Sequence, residues 1–214
     1  MTAREEVLAR IASAHRAAPP PDLEYASVAR AYRTTSDLGA EALVELLVDR
    51  LIDYKALVRQ CGESQLPATI ATALAERGLA VLAVPEGLEL DWLGAVTAEI
   101  RADRSPGDLS VADLDTAGGV LTTCAVAVAE TGTLILDGSA GMGRRVVTLI
   151  PDYHLCIVRT DQICADVPQA LAQLEPTRPL TMISGPSATS DIELSRVEGV
   201  HGPRTLEVII VEDG

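Results

Sequence analysis

Residues 64 to 85 read SQLPATIATALAERGLAVLAVP, in which a helix-length segment runs directly into a short apolar segment. We predict a helix from Ser64 to Arg77, ended by Gly78 in the position after it, where glycine is common. Leu79–Val84 has the length and the aliphatic composition of a buried strand, and Pro85 closes it. A helix followed by a strand is the repeating unit of α/β folds.

The same unit recurs along the chain. Between Asp37 and Asp53, acidic residues recur every fourth position and aliphatic residues fill the remaining surface, which predicts a helix with a narrow polar stripe. We therefore predict an α/β fold with a mostly parallel sheet flanked by helices, because this alternation implies right-handed crossover connections. The other predicted strands are Ala56–Arg59, Val120–Ala129, Thr133–Leu136, Leu155–Val158, Thr181–Ile183 and Leu206–Val211, and the other predicted helices are Ser110–Asp115 and Val167–Leu174.

The composition limits the possible partners. Of the 214 residues, 48% are hydrophobic but 2% are aromatic, so the core is built from aliphatic side chains, which suit helices packed on a parallel sheet. The formal net charge of −14 repels phosphate backbones and anionic lipid, which argues against nucleic-acid and membrane binding. No apolar run approaches the roughly 20 residues of a transmembrane helix, and charged residues interrupt any signal-like stretch. We therefore expect a cytoplasmic protein.

The first 34 residues differ from the rest. Residues 1–17 form a charged, alanine-rich amphipathic pattern, and Pro19-Pro20-Pro21 cannot continue a helix. We predict a helical arm and a proline-rich linker over residues 1–34, and an α/β domain over residues 35–214. Such an arm packs either on its own domain or on a neighbouring subunit.

The cysteines give no sign of a metal centre. Cys61, Cys124, Cys156 and Cys164 form no C-x-x-C pair and have no histidine at ligand spacing. The sequence therefore predicts no metal site, no iron–sulfur cluster and no other cofactor. Because a free cysteine packs as a small hydrophobe, we expect four buried thiols.

One candidate site residue lies between two predicted strands. Glu130 interrupts a run of uncharged residues in Ala129-Glu130-Thr131-Gly132-Thr133. A carboxylate among apolar strands is costly unless it is paired or functional, and such a site suits a general acid, a base or a nucleophile. The alternative is an exposed strand end beside the glycine turn, and the pattern favours neither.

A second candidate loop follows the predicted strand Thr181–Ile183. It turns through Gly-Pro before an acidic helix start, where Ser190 and Glu193 fit a capping box. Hydroxyls and backbone N–H groups at a helix N-terminus also suit a bound carboxylate or phosphate. A simple turn and cap is the alternative, because Asp191 and Glu193 compete with an anionic ligand. The loop reads Ser184-Gly185-Pro186-Ser187-Ala188-Thr189-Ser190-Asp191-Ile192-Glu193.

Two more loops carry polar groups. Residues 138–145 combine three glycines with Arg144 and Arg145, which indicates either a mobile surface loop or anion binding by one of the arginines. The glycine spacing matches neither the dinucleotide fingerprint nor a Walker loop. His201, in the sequence Val200-His201-Gly202-Pro203-Arg204, is either an accessible acid–base group or a turn residue bonded to the backbone.

The Glu130, Ser184 and His201 motifs, in this order and before an aliphatic strand, resemble the lactate-utilisation (LUD) domain family. The resemblance is strong over residues 115–211 and general over residues 35–114. It implies an α/β fold like that of ribose-5-phosphate isomerases and CoA transferases. It also implies a role in a bacterial system that oxidises L-lactate to pyruvate with iron–sulfur partner subunits. The lack of clustered cysteines points to a component of that system that carries no cluster.

The resemblance places the motif residues around one cleft, which we expect beyond the carboxyl ends of the strands. The candidate catalytic residues are Glu130, Asp191 and His201. The candidate ligand-binding residues are Thr131, Gly132, Thr133, Ser184, Gly185, Pro186, Ser187, Thr189, Glu193 and Gly202, with Pro203 nearby, and the glycine-rich loop adds Arg144.

Three functions fit these patterns. The first is a lactate-utilisation component that binds a small anionic metabolite, such as a carboxylate, or supports assembly with iron–sulfur subunits; it is favoured because the chain encodes no hydride or electron carrier. The second is a stand-alone group-transfer or isomerase-like enzyme that uses Glu130 as base or nucleophile, with Ser187 and Thr189 holding an anion. The third is a structural module that docks through residues 1–17.

Overall fold

The computed structural model describes residues 2–17, 27–104, 107–189, 197–198 and 201–212. The chain divides into two compact units, Met1–Tyr32 and Arg33–Gly214. The first unit contains helix α1 (Ala3–Ala17), whose residues are all exposed. The remaining helices and strands belong to the second unit.

The second unit is built on a six-stranded sheet. Its strands are β1 (Leu57–Gly62), β2 (Val81–Pro85), β3 (Glu99–Asp103), β4 (Gly119–Thr123), β7 (Tyr153–Arg159) and β12 (Thr205–Glu212). They lie in the order β1-β12-β7-β4-β2-β3, and every neighbouring pair is parallel. This arrangement confirms the predicted α/β class with a largely parallel sheet.

Helices and aliphatic side chains cover both faces of this sheet. The helices are α2 (Ala40–Asp53), α3 (Leu66–Glu76), α4 (Val111–Thr116) and α5 (Val167–Gln173). Because successive strand residues point to opposite faces, Leu155 of β7 belongs to the core cluster of α3, whereas Cys156 belongs to that of α2. Within the described ranges, no helix combines the length and the apolar character needed to cross a membrane.

A smaller sheet of four strands contributes to the core on the α2 side. Its strands are β5 (Val126–Val128), β6 (Thr133–Leu136), β8 (Ile163–Cys164) and β9 (Thr181–Ile183), in the order β8-β5-β6-β9. β6 is antiparallel to both neighbours, and β5 and β8 are parallel.

The prediction of one strand over Val120–Ala129 is wrong. The chain leaves the large sheet at the end of β4, and the backbone N–H of Ala125 already donates to the carbonyl of Ile135 in the small sheet. An uninterrupted apolar run therefore conceals a change of sheet, because both strands are buried.

Other local predictions are confirmed or adjusted. Gly78 ends α3 with a φ of +62°, and Ser110 caps α4 by accepting a hydrogen bond from the Asp113 N–H at 3.2 Å. Strand β3 was missed, because charged residues alternate along it and it lies at the sheet edge. Strands β10 (Ala188–Thr189) and β11 (Val197–Glu198) form a short antiparallel pair that the sequence did not predict.

Candidate functional site

Pairing in the small sheet brings two of the predicted motifs together. Leu134 of β6 lies opposite Ile183 of β9, so the residues next to them, Thr133 and Ser184, are also neighbours. The hydroxyl oxygens of Thr133 and Ser184 are 2.8 Å apart, and those of Thr131 and Thr133 are 2.7 Å apart. A chain of three hydroxyls thus connects the Glu130 turn to the Ser184 loop.

The Ser184 and His201 motifs also lie next to each other. The backbone N–H of Ser187 donates to the carbonyl of Pro203 at 2.8 Å, and the backbone N–H of His201 donates to Ser187 Oγ at 3.0 Å. Gly185 has a φ of +84°, and a Cβ atom there would lie 2.8 Å from Tyr54 Cβ, so the turn needs glycine. Backbone hydrogen bonds therefore hold the Ser184 and His201 loops side by side.

A cavity of about 220 Å³, the small cavity, lies against these two loops. Its wall includes the second residues of β7 and β12, so it lies near the beginnings of these strands. The expected position beyond their carboxyl ends is therefore wrong, because the Ser184 loop leaves the small sheet and the His201 loop precedes β12. The lining residues are Arg145, Thr148, His154, Met182, Ile183, Ser184, Gly185, Pro186, Ser187, His201, Gly202, Pro203 and Leu206.

Glu130 does not line the small cavity. Its side chain is 54% exposed and pairs with Arg33, with Nη2 and Oε2 3.0 Å apart. Arg33 also donates from Nε to the buried carboxylate of Asp166 at 3.2 Å. The apolar surroundings that suggested a base or nucleophile are thus replaced by an exposed ion pair, because β5 ends at Val128 and the turn carries Glu130 outwards.

The three residues after Glu130, namely Thr131, Gly132 and Thr133, contact different parts of the protein. Thr131 and Glu130 line a separate hollow beside Arg50, and Gly132 turns there with a φ of +59°. A Cβ atom on Gly132 would lie 2.9 Å from Arg50 Cβ, so this glycine permits close packing against α2. Of this motif, Thr133 makes the direct hydrogen bond to the Ser184 loop.

The glycine-rich loop is ordered by its own hydrogen bonds. The backbone N–H of Ser139 donates to Asp137 Oδ1, that of Gly141 to the Glu86 carbonyl, and those of residues 142 and 143 to the Ser139 carbonyl. These four N–H groups are already bonded within the protein, so they are not available to a bound phosphate.

Arg144, the predicted anion-binding arginine of this loop, is occupied by a protein carboxylate. Its Nε and Nη2 donate to the two oxygens of Asp103 at 2.8 and 2.9 Å, and Nη2 also bonds to the carbonyl of Leu109. Burial alone would raise the pKa of Asp103, but the hydrogen bonds from Arg144 and the Leu109 N–H hold it below its ordinary value. Arg144 therefore acts as a structural tie between β3 and the loop.

Arg145 differs from its neighbour. Within the described part of the chain it has no carboxylate in ion-pair range, and its guanidinium donates to the hydroxyl of the buried Thr148 at 3.2 Å. Arg145 and Thr148 line the small cavity and also a second one of about 650 Å³, the large cavity. The two cavities therefore adjoin at an arginine for which the described residues provide no counter-ion.

The sequence assigned no role in the site to His154. It is 1% exposed, and its Nε2 lies 2.8 Å from Thr122 Oγ1. Burial, and then the nearby charge of Arg145, lower its pKa from 6.5 to about 4, so the imidazole is neutral at pH 7. A histidine within an apolar strand was the available signal, but its partner Thr122 is distant in sequence.

Several predicted residues cannot be placed. Asp191, Ile192 and Glu193, together with the Ser190 cap, lie outside the described residues, as do Gly199 and Val200. Thr189 is in β10, without a described side chain.

The cysteines are buried and free, as predicted. A hydrogen bond with Cys156, together with burial, raises the pKa of the Cys124 thiol well above its ordinary value. Burial also raises the pKa of the Cys164 thiol. Among the residues that the structure describes, no group of three or more His, Cys, Asp or Glu side chains is arranged to hold a metal ion.

Comparison with known proteins places the chain in a family. Residues 72–211 match the model of the LUD domain. The chain is 46% identical over 184 residues to the lactate utilization protein C of Deinococcus radiodurans, with 84% of each protein covered. It is 35% identical over 118 residues to the lactate utilization protein C of Shouchella clausii, which covers 52% of this chain and 51% of the relative.

A solved structure agrees with these matches. The crystal structure of a DUF162 family protein from Deinococcus radiodurans superimposes with a TM-score of 0.69 at 42% sequence identity, covering 81% of this chain and 99% of that one. The family match extends over more than half of the chain and includes the four-stranded sheet, Arg144, Arg145 and the His201 loop. This chain therefore belongs to the LUD domain family.

Proposed function

We propose that this protein is a component of an L-lactate utilisation system and that it binds a small carboxylate at Arg145. The names of the two relatives described above support the metabolic role. The carboxylate site rests on one observation: Arg145 lines a cavity, and no carboxylate of the described residues lies in ion-pair range of it.

Arg145 differs in this respect from the other described arginines around the two cavities. The formal net charge is −14, and the other arginines around the two cavities, Arg104, Arg144 and Arg178, each have an acidic partner. An arginine hydrogen-bonded to a carboxylate forms one of the stronger interactions available to a protein, because both groups are charged. Arg145 is therefore the group to which a small carboxylate binds.

The rest of the small cavity suits an oxygen substituent next to the carboxylate. Ser187 Oγ accepts from the His201 N–H and still carries a hydroxyl proton to donate. The neutral imidazole of His154 is part of the same wall. These groups match a 2-hydroxy or 2-oxo acid, the class that includes lactate and pyruvate.

We assign the oxidation of lactate to iron–sulfur partner subunits. A thiolate, and not a thiol, is the form of cysteine that binds iron. The raised pKa values of Cys124 and Cys164 keep these two side chains as buried thiols. This chain then contributes carboxylate binding or assembly.

The hypothesis of a stand-alone enzyme that uses Glu130 no longer has an observation in its favour. That hypothesis required a carboxylate in apolar surroundings, whereas Glu130 is half-exposed and paired with Arg33. The hollow that it lines with Thr131 and Arg50 is not shared with the small cavity.

Calorimetric titration with L-lactate and with pyruvate tests the carboxylate site. Arg145→Gln should weaken binding at least about tenfold, since a hydrogen bond to a charged group contributes roughly 1.5–3 kcal/mol. Arg101→Gln is the matched control, because it removes an arginine paired with Glu99 that lines neither cavity. Equal affinities in the wild type and Arg145→Gln would contradict the proposed site.

The same two variants test the metabolic role in the host. Deleting the gene should abolish growth on L-lactate but preserve growth on pyruvate, because the missing step lies between them. The wild type and Arg101→Gln should restore growth on L-lactate, and Arg145→Gln should not. Undiminished growth of the deletion strain on L-lactate would contradict the role.

A further inference from the structure

We infer that the ligand is a 2-hydroxy or 2-oxo monocarboxylate longer than lactate, whose carboxylate binds Arg145 and whose carbon chain occupies the large cavity. This inference rests on the proposed function, because it takes Arg145 as the carboxylate anchor. It adds the size and the charge of the ligand.

The two cavities are in contact. Arg145 and Thr148 are present in both linings, so the guanidinium side chain borders both cavities. The large cavity, of about 650 Å³, is roughly three times the size of the small one, of about 220 Å³. Organic ligands generally occupy cavities of roughly 300–1,000 Å³, a range that includes the large cavity.

The charged residues that line the large cavity limit the charge of the ligand. Asp103 is held by Arg144, and Asp137 accepts from the Ser139 N–H and pairs with Arg178 at 3.4 Å. Arg104 has Asp108 at 3.7 Å. Among the described arginines of the lining, Arg145 alone lacks an acidic partner and can take one carboxylate, while the carboxylate of Glu86 in the same lining disfavours a second negative charge on the ligand. A second carboxylate would have to compete with an existing ion pair.

The wall of the large cavity is preformed. A Cβ atom on Gly87 would lie 2.6 Å from Ala140 Cβ, and one on Gly143 would lie 2.7 Å from Pro85 Cβ. The glycine-rich loop is thus packed closely against the segment that ends β2. Leu136, Ala140 and Pro179 give this lining its apolar surface, which suits a hydrocarbon chain.

Calorimetry with L-lactate, 2-hydroxyhexanoate and 2-hydroxyadipate separates these properties. Burial of one methylene group contributes a factor of roughly four in affinity, so 2-hydroxyhexanoate should bind at least about tenfold more tightly than L-lactate. 2-Hydroxyadipate, which differs by a second carboxylate at the end of its chain, should bind more weakly than 2-hydroxyhexanoate. Competition should show that L-lactate and 2-hydroxyhexanoate exclude each other.

Thr181→Trp tests where the carbon chain binds. Thr181 lines the large cavity and not the small one, so the indole should lower the affinity for 2-hydroxyhexanoate to that for L-lactate and leave L-lactate binding unchanged. Gln173→Trp adds the same indole on an exposed position of α5, and its affinities should match the wild type. Thr181→Leu, a smaller change that preserves folding if the indole does not, should give an intermediate affinity.

The outcomes distinguish this inference from the proposed function. Equal affinity for the two acids, or their simultaneous binding, would overturn the inference while the lactate site at Arg145 stands. A Thr181→Trp or Thr181→Leu variant that weakens both acids equally would also overturn it. Failure of every monocarboxylate to bind would contradict the proposed function itself.

Discussion

His154 is a neutral imidazole buried in the wall of the small cavity, and its surroundings determine how it titrates. Its Nε2 lies next to the Thr122 hydroxyl, and burial with the nearby Arg145 lowers its pKa from 6.5 to about 4. Between these pH values the unfolded chain binds a proton at this position that the folded chain does not. Stability is therefore present above pH 6.5 and is lost as the pH falls towards 4.

His154→Gln should remove this part of the pH dependence, because glutamine does not titrate. The full pKa difference corresponds to about 3 kcal/mol, so the decrease in unfolding free energy between pH 6.5 and 4 should be smaller by about that amount. Urea denaturation at several pH values measures it. His15→Gln, on the exposed helix α1, should leave the wild-type pH dependence unchanged. Identical slopes in the wild type and His154→Gln would contradict the assigned protonation.

Single residues are where prediction from sequence was weakest. Arg144 and Arg145 are adjacent and chemically identical, yet Arg144 is bound by Asp103, 41 positions earlier, whereas no described carboxylate lies in ion-pair range of Arg145. The role of Glu130 depended likewise on Arg33, 97 positions away. Local patterns identify a residue that can carry chemistry, but its charge partner is set by the fold.

At the scale of elements, a cluster of side chains around a buried carboxylate joins three strands and a helix. We call Glu207, Arg59, Tyr153 and Glu76 the Glu207 cluster. Glu207 of β12 is 1% exposed and accepts hydrogen bonds from Arg59 of β1 and from the Tyr153 hydroxyl of β7, the latter at 3.0 Å. Arg59 also bonds to Glu76 at the end of α3. Burial, and then the charge of Glu207, raise the pKa of Tyr153, so its hydroxyl remains a donor.

Arg59→Met should destabilise the protein strongly, because it removes the guanidinium bonded directly to the buried carboxylate of Glu207 and leaves it the more distant guanidinium of Arg77, at 3.9 Å. The expected loss is about 3–5 kcal/mol of unfolding free energy, measured by denaturant titration. Arg101→Met, which breaks an exposed pair with Glu99, should cost less than about 1 kcal/mol. Similar losses in the two variants would show that the Glu207 cluster does not stabilise the sheet in this way.

Elements with strong local signals were predictable. The α3 helix, its glycine end and the following strand β2 are explained by apolar spacing and by the φ that Gly78 adopts. The division of Val120–Ala129 between two sheets was not predictable, because both halves are buried and equally apolar. Strand β3 was missed for the opposite reason, since an edge strand tolerates charged residues.

At the scale of the whole molecule, two sheets determine where the polar loops meet. The small sheet brings Ser184 to Thr133, and the backbone of Ser187 joins that loop to Pro203 before β12. The sequence predicted that these loops would come together, but their position near the beginnings of β7 and β12 depends on a second sheet that it did not predict. The helical arm as a docking element, and the likeness to ribose-5-phosphate isomerases and CoA transferases, stay predictions.

A crystal structure determined with L-lactate tests the central claim most directly. We expect electron density for lactate in the small cavity, with its carboxylate oxygens about 3 Å from the guanidinium nitrogens of Arg145. Density for the ligand in the hollow of Glu130 and Thr131, with Arg145 bound to nothing but Thr148, would contradict it.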